Sequence, residues 1–125
     1  MAQTVSVFEV VGGMPFFERL VGRFYDGVES DPVLRAVYPE EDLAPARRHL
    51  TLFLAMYWGG PDDYERERGA PRLRMRHFPF EIGADERDRW LGHMRSAIDE
   101  AAPPPDVRQA MIQYFEMAAE ALRNH

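Results

Sequence analysis

One histidine of this chain has neighbours that suit a bound cofactor. Residues 73–80 read Leu-Arg-Met-Arg-His-Phe-Pro-Phe, so His77 stands among arginines and aromatic rings. A neutral imidazole is a common metal ligand, arginine binds acidic groups, and the rings of Phe78 and Phe80 can pack on a flat surface. The segment favours a planar, metal-containing cofactor that carries acidic groups, although an ordinary loop histidine fits the same residues.

Missing residue types exclude several kinds of chemistry. The 125-residue chain has no cysteine and no lysine, and its 15 basic residues are all arginine. Without cysteine there is no disulfide framework, thiolate nucleophile or iron–sulfur ligand. Without lysine there is no Schiff base and no phosphate-binding Gly-Lys-Ser/Thr loop. The net charge of −6 argues against a duplex nucleic-acid partner.

The other histidines do not form a familiar metal motif with His77. None has a glutamate three residues before it and no two are four residues apart, which excludes ferritin-like and zincin sites. We expect His49 on a solvent-facing turn and His125 at a frayed end, whereas His93 lies near predicted core and is the second candidate. A single protein ligand suffices when a porphyrin fills most of the coordination shell. The histidines therefore point to haem.

Helices must position these residues, because apolar side chains recur at i, i+3, i+4 spacing through most of the chain. The predicted elements are a helix from Pro15 to Val28, a short turn from Pro32 capped by Asp31, a helix from about Pro45 to Tyr57, a helix from about Asp85 to before Pro103, and a final helix capped by Asp106. The intervening segment, residues 62–83, holds His77 and is predicted to be a loop with at most one short helix.

These amphipathic helices must pack together to bury their apolar stripes, which predicts an all-α fold in a single domain over residues 1–125. No apolar run is long enough to cross a membrane. Residues 5–11 are apolar but lack the features of a signal peptide. We therefore expect a cytoplasmic protein with no membrane partner.

Five fragments in order carry a resemblance to a known family. They are Arg23-Phe24-Tyr25, Val37-Tyr38-Pro39-Glu40, Tyr57-Trp58-Gly59-Gly60-Pro61, the run from Arg72 to Phe80, and Glu86-Arg87-Asp88-Arg89-Trp90. Together, over residues 11–122, they resemble a group II truncated haemoglobin. The resemblance implies a shortened globin fold, a 2-on-2 helical sandwich around haem b, with His77 as the proximal iron ligand.

The resemblance also implies roles for other side chains. Tyr25, Tyr38 and Trp90 would fall on the distal side, where hydroxyl and indole donors stabilise charge on a bound ligand. Met56 would lie near that ligand. Arg76 and Tyr64 are the candidates for binding the propionates. Trp58 is expected to plug a helix end, and Tyr57 to pack in the core or on the haem.

Three hypotheses about function remain open at this stage. The first is a protein that binds O₂ tightly, and CO, NO, peroxide or sulfide as further ligands, with a reductase to restore ferrous iron. The second is an enzyme on the same scaffold, an NO dioxygenase or a peroxidase. The third is a cofactor-free helical adaptor that binds an acidic partner through the arginines of residues 66–76. A homodimer is compatible with each.

Overall fold

The computed structural model describes residues 5–125, and within that range the chain forms eight helices and no strand. The helices are α1 (Val7–Val10), α2 (Met14–Glu29), α3 (Pro32–Arg35), α4 (Ala44–Tyr57), α5 (Asp63–Arg68), α6 (Leu73–His77), α7 (Ala84–Ala101) and α8 (Pro105–Leu122). The prediction of an all-α fold is confirmed.

The long helices form two pairs, α2 with α4 and α7 with α8, joined by the contact between α2 and α7. Helix α2 lies at the centre of the fold, and the other helices bury its apolar stripe completely. Phe17, Leu20 and Phe24 follow the i, i+3, i+4 rule and have no exposed surface. On α7 and α8, Met94, Ile98 and Met111 complete the same core.

Local sequence explains where several helices begin and end. The side chain of Asp31 accepts a hydrogen bond from the backbone N–H of Leu34 at 3.3 Å, which caps α3 as predicted. Helix α4 ends at the Gly59-Gly60 pair. Gly59 has φ +98, and a Cβ there would lie 2.6 Å from the Cβ of Ser6, so this close turn requires glycine.

Segment 62–83 contains two short helices, α5 and α6, rather than the single one expected. Acidic residues at the start of α5 and arginines at its end suit the helix dipole. Helix α6 follows Arg72, a non-glycine residue with φ 45, and it packs on α8. The sequence pattern did not predict α6, because an arginine in the left-handed backbone conformation has no sequence signature.

Two further boundaries differ from the prediction. Helix α1 was not predicted, and it begins where the Ser6 hydroxyl accepts a hydrogen bond from the Glu9 N–H at 3.2 Å. Helix α8 begins at Pro105, so Asp106 lies in the first turn instead of capping it. No helix within residues 5–125 has the length and apolar character to cross a membrane.

Candidate functional site

A cavity of about 530 Å³ is lined by residues of α2, α4, α5, α6, α7 and α8 and of the chain that follows α3. Its volume is in the range of small-molecule and cofactor sites. Seven of the side chains predicted to serve the site line this one cavity: Tyr25, Tyr38, Tyr64, Arg76, His77, Phe80 and Trp90. The remaining wall is mostly apolar, with Leu54, Leu73 and Phe115 among its members.

The imidazole of His77 is oriented by its own helix. Its Nδ1 lies 2.7 Å from the backbone carbonyl oxygen of Leu73, one turn earlier in α6. Because a carbonyl can only accept, Nδ1 carries the proton and Nε2 keeps a free lone pair. Helix α6 is tied to α8 in turn by Arg74, whose Nε donates to the Ala121 carbonyl at 3.3 Å. The ring is therefore prepared to bind a metal through Nε2.

Tyr25, Tyr38 and Trp90 form a group of hydrogen-bond donors on the same cavity. The rings of Tyr25 and Tyr38 meet edge to face at 5.8 Å between centroids. Trp90 is held between Phe24 and Phe115, at 5.0 and 5.5 Å. Aromatic packing on both sides of the indole fixes where its N–H points.

The two phenols remain protonated at neutral pH. Burial raises the pKa of Tyr25 far above its ordinary value, and the Tyr38 hydroxyl raises it further. Burial also raises the pKa of Tyr38, although the neighbouring Tyr25 hydroxyl and Trp90 indole oppose part of this rise. The Tyr38 hydroxyl therefore keeps a proton that it can donate to a molecule in the cavity.

The three donors come from three elements that meet at one buried carboxylate. Asp31 is only 8% exposed, and besides capping α3 it accepts from His93 Nε2 at 2.9 Å and Arg89 at 3.1 Å, both on α7. These hydrogen bonds hold the pKa of Asp31 below its ordinary value, with His93 contributing most. The ring of His93 lies against α2 at Gly27, where a Cβ would come within 2.4 Å of Nδ1. The cluster thus joins α2, α3 and α7.

Arg76 and Tyr64 reach the cavity in ways that the sequence did not indicate. The guanidinium of Arg76 donates to the carbonyls of Pro71 at 2.8 Å and Arg68 at 3.0 Å, so it braces the loop between α5 and α6. Tyr64 is 3% exposed and packs edge to face on Phe53 at 5.4 Å. Both line the cavity, but much of the Arg76 donor capacity is used by the protein itself.

His49 and Arg68 form a polar part of the wall that sequence reasoning missed. Arg68 donates to His49 Nδ1 at 2.6 Å, and both side chains line the cavity. Burial and the charge of Arg68 lower the pKa of His49, so the imidazole is neutral. The expectation of a solvent-facing His49 was wrong, because α4 turns this residue toward the loop that follows it.

Several residues singled out in the sequence do not line the cavity in the part of the chain that the structure describes. Met56 lies in the last turn of α4 and packs against the hydrophobic core, so its expected place near a bound ligand is not supported. Phe78 is 80% exposed and Tyr57 is 50% exposed. His93 is engaged with Asp31.

Trp58 is a plug at the end of α4, as predicted. It is 9% exposed and packs on the rings of Phe17, Tyr114 and Phe115. Tyr114 is a further wall residue that the sequence did not single out. Burial and the neighbouring Tyr57 raise its pKa to about 12. The only available signal was its place on the apolar stripe of α8.

Comparison with known proteins covers nearly the whole chain. The family model described as bacterial-like globin matches residues 6–124. The group 2 truncated hemoglobin YjbI of Bacillus subtilis is 36% identical over 112 residues, which are 90% of this chain and 84% of that protein.

Solved structures give the same result. The thermostable hemoglobin of the actinobacterium Thermobifida fusca is 57% identical, with a TM-score of 0.94, and the alignment covers 96% of this chain and 98% of that one. The group II truncated hemoglobin of Bacillus anthracis is 35% identical, with a TM-score of 0.93 and coverage of 98% and 94%. The fold and most of the sequence are thus shared with these proteins.

Proposed function

This chain belongs to the bacterial-like globins as a group II truncated haemoglobin, a haem-binding globin of the 2-on-2 fold, and from that premise we propose how its own residues serve the site. The family binds small diatomic gases such as O₂. We propose that this protein holds haem b through His77 and binds O₂ with high affinity at ferrous iron, with Tyr25, Tyr38 and Trp90 stabilising the ligand.

The residues present fit such a group. A cavity of about 530 Å³ with a largely apolar wall suits a flat macrocycle, and His77 Nε2 is the free nitrogen donor on that wall. The wall also carries arginines, among them Arg68 at the end of α5 and Arg76 in α6, the helix that carries His77. These cations, with the Tyr64 hydroxyl, are the groups we propose for the propionates.

One observation carries the proposal. The same cavity is lined by an imidazole whose tautomer is set by Leu73 and by three O–H or N–H donors that are kept in place by aromatic packing. A protein that only packed its core would not aim a free imidazole nitrogen and protonated phenols at one space, since buried polar groups are usually paired within the protein.

When bound, the haem iron supplies the coordination position at which a diatomic gas binds. The chain supplies the rest. With a ligand in place, Tyr38 and Trp90 would donate to it, and Tyr25 would orient the Tyr38 hydroxyl. A hydrogen bond to a charged acceptor contributes about 1.5 to 3 kcal/mol, and about 1.4 kcal/mol is tenfold in an equilibrium constant. Two donors would therefore slow ligand release by orders of magnitude.

Stopped-flow measurement of O₂ release tests this proposal. Tyr38→Phe and Trp90→Phe should each raise the release rate about ten- to a hundredfold, as expected for one lost hydrogen bond. Tyr57→Phe is the matched control because Tyr57 is 50% exposed and does not line the cavity over the described residues, so its rate should stay unchanged. Equal O₂ release rates in the wild type and the three variants would refute the role of Tyr38 and Trp90 as donors.

The second candidate is an enzyme that oxidises NO with O₂ to nitrate or reduces peroxide. The donor group supports it because polar groups aimed at an oxygen ligand can also assist its reaction. The raised pKa values of Tyr25 and Tyr38 weigh against the peroxidase, since an effective general acid has a pKa near the working pH. Rapid mixing of the protein with peroxide and with NO distinguishes the two candidate functions. A fast reaction that Trp90→Phe slows would favour the enzyme.

A further inference from the structure

We propose that the exposed face of α6 and the adjoining part of α8 is the docking surface for a small acidic protein that donates electrons to the haem. We call it the proximal face and define it by Arg72, Arg74, Met75, Phe78 and Met117. The inference rests on the proposed function, because a protein that binds O₂ at ferrous iron needs a donor that restores this state.

The proximal face carries two arginines without ion pairs among the described residues, in a chain of negative net charge. The chain carries a net charge of −6, yet exposed Arg72 and Arg74 make no ion pair with any residue from 5 to 125. Nine other arginines do pair with carboxylates: Arg23, Arg47, Arg48, Arg66, Arg87, Arg89, Arg95, Arg108 and Arg123. Uncompensated positive charge is therefore placed beside the helix that carries His77, where it would attract an acidic surface.

Large apolar side chains are exposed on α6, just after it and on α8. Met75 is 59% exposed, Met117 is 63% and Phe78 is 80%. Methionine, arginine and aromatic residues are enriched in protein interfaces, and lysine and acidic residues are depleted. Methionine also adapts to surfaces of different shape. The composition of this face is that of an interface rather than of ordinary solvated surface.

The backbone at the edge of the face is strained. Arg72 has φ 45, which a residue with a side chain rarely adopts. Its conformation starts α6, and Arg74 then fixes the helix to the Ala121 carbonyl. Strained residues persist where the surroundings hold them, and they cluster at functional sites. This conformation begins the helix on which Arg74 and Met75 are exposed.

A thin wall separates this face from the cavity. Leu73 and Leu122 line the cavity on one side and a shallow apolar groove on the other, and Arg72, Arg74 and Met75 border that groove. A protein seated on the groove would thus be one layer of side chains from the cofactor cavity. Electron transfer between proteins requires such a short separation, whereas a purely structural partner would have no need of this position.

These features specify the chemistry of the partner. It should present an apolar centre surrounded by carboxylates and should bind weakly, as redox partners with small interfaces do. A second copy of this chain fits less well. A symmetric dimer through this face would bring Arg72 and Arg74 near their own copies, where like charges repel.

Binding of oxidised flavodoxin, a small acidic one-electron carrier, to the ferric haem-loaded protein provides the test. Titration followed by NMR at low salt should shift amides of residues 72–78 and 117–122. Arg72→Glu should weaken binding by at least about tenfold, and so should Met75→Gln with Met117→Gln. Arg19→Glu is the matched control, because Arg19 is exposed on α2 and makes no ion pair within residues 5–125. Arg19→Glu makes the same charge change on another part of the surface and should weaken binding by less than about twofold.

The proposal would be overturned by absence of binding, by equal weakening from Arg19→Glu and Arg72→Glu, or by shifts located away from the proximal face. A dimer in sedimentation that Met75→Gln dissociates would show that a second copy covers the face, which also overturns it. The absorption spectrum tests the proposed function separately, because a protein that binds no haem would show no haem absorption. Melting curves of the variants confirm that they are folded.

Discussion

At the scale of single residues, the orientation of His77 is the feature with the most direct consequence. Its Nδ1 proton is held by the Leu73 carbonyl, so Nε2 is the ring nitrogen left free to bind a metal. His77→Gly removes that nitrogen and leaves a gap of about the size of imidazole. We expect haem affinity to fall by more than about tenfold, equivalent to about 1.4 kcal/mol, and added imidazole to restore much of it.

Absorption titration with hemin measures this effect. His125→Gly is the control, because His125 is exposed at the end of the chain. The control should bind haem like the wild type. If His77→Gly bound haem equally well and gave the same spectrum without imidazole, another residue would have to be the ligand.

Asp31 gives a prediction about acid stability. Its pKa is lowered in the folded protein, first by the hydrogen bond from His93. A carboxyl with a depressed folded pKa stabilises the protein above its unfolded pKa of about 3.9, and this stability is lost as pH falls through the folded value. Asp31→Asn should therefore lower the free energy of unfolding by about 2 kcal/mol at neutral pH.

Urea unfolding at several pH values measures this loss. The difference between wild type and Asp31→Asn should narrow below about pH 4. Asp106→Asn is the control, since Asp106 is exposed in the first turn of α8. A difference that stayed constant down to strongly acidic pH would contradict the role of the charged carboxylate.

Residue types alone predicted the site only in part. His77 was identifiable because its neighbours suit a cofactor, and Tyr25, Tyr38 and Trp90 because their fragments match a family. Arg76 could not be assigned in the same way. Its guanidinium binds the backbone carbonyls of Pro71 and Arg68, and such contacts depend on how a loop folds rather than on spacing along the sequence.

At the scale of helices, Gly27 tests how α2 and α7 are joined. Alanine is normally the better helix residue by about 1 kcal/mol. At Gly27, however, a Cβ would lie 2.4 Å from His93 Nδ1, so the ring must move away from Asp31. Gly27→Ala should therefore lower the free energy of unfolding by about 1 to 3 kcal/mol, the usual effect of overpacking.

Gly92 provides the matched control on the other helix. It lies inside α7, and a Cβ there would meet nothing within 4 Å. Gly92→Ala should stabilise the protein by about 0.5 to 1 kcal/mol. Chemical denaturation of both variants gives the comparison. Equal stabilisation by the two substitutions would mean that the His93 ring can move without lowering the free energy of unfolding.

Helix prediction succeeded where periodicity was long and failed where tertiary contacts decide. The patterns of α2, α4 and α7 predicted those helices because each has a continuous apolar stripe and a clear end. Helix α6 has only five residues. It is held by the bond from Arg74 to Ala121 and by packing on α8, and neither is visible in a local window of sequence.

At the scale of the whole molecule, the arrangement of helices creates a space that no single element contains. The cavity wall takes residues from α2, α4, α5, α6, α7 and α8 and from the chain around Tyr38. Composition and periodicity predicted several packed helices, but they did not predict which faces would remain apart. Only the resemblance to a family predicted that arrangement, and the comparisons with solved structures confirm it.

The central claim is that one cavity binds haem through His77 and presents donors to its gaseous ligand. The most direct measurement is an absorption titration of the purified protein with hemin, followed by spectra in the oxidised, reduced and CO-bound states. We predict saturation at one haem per chain, a histidine-ligated spectrum and a CO complex whose release Tyr38→Phe and Trp90→Phe both alter. A protein that takes up no hemin, or whose spectra do not respond to loss of His77, would contradict the account.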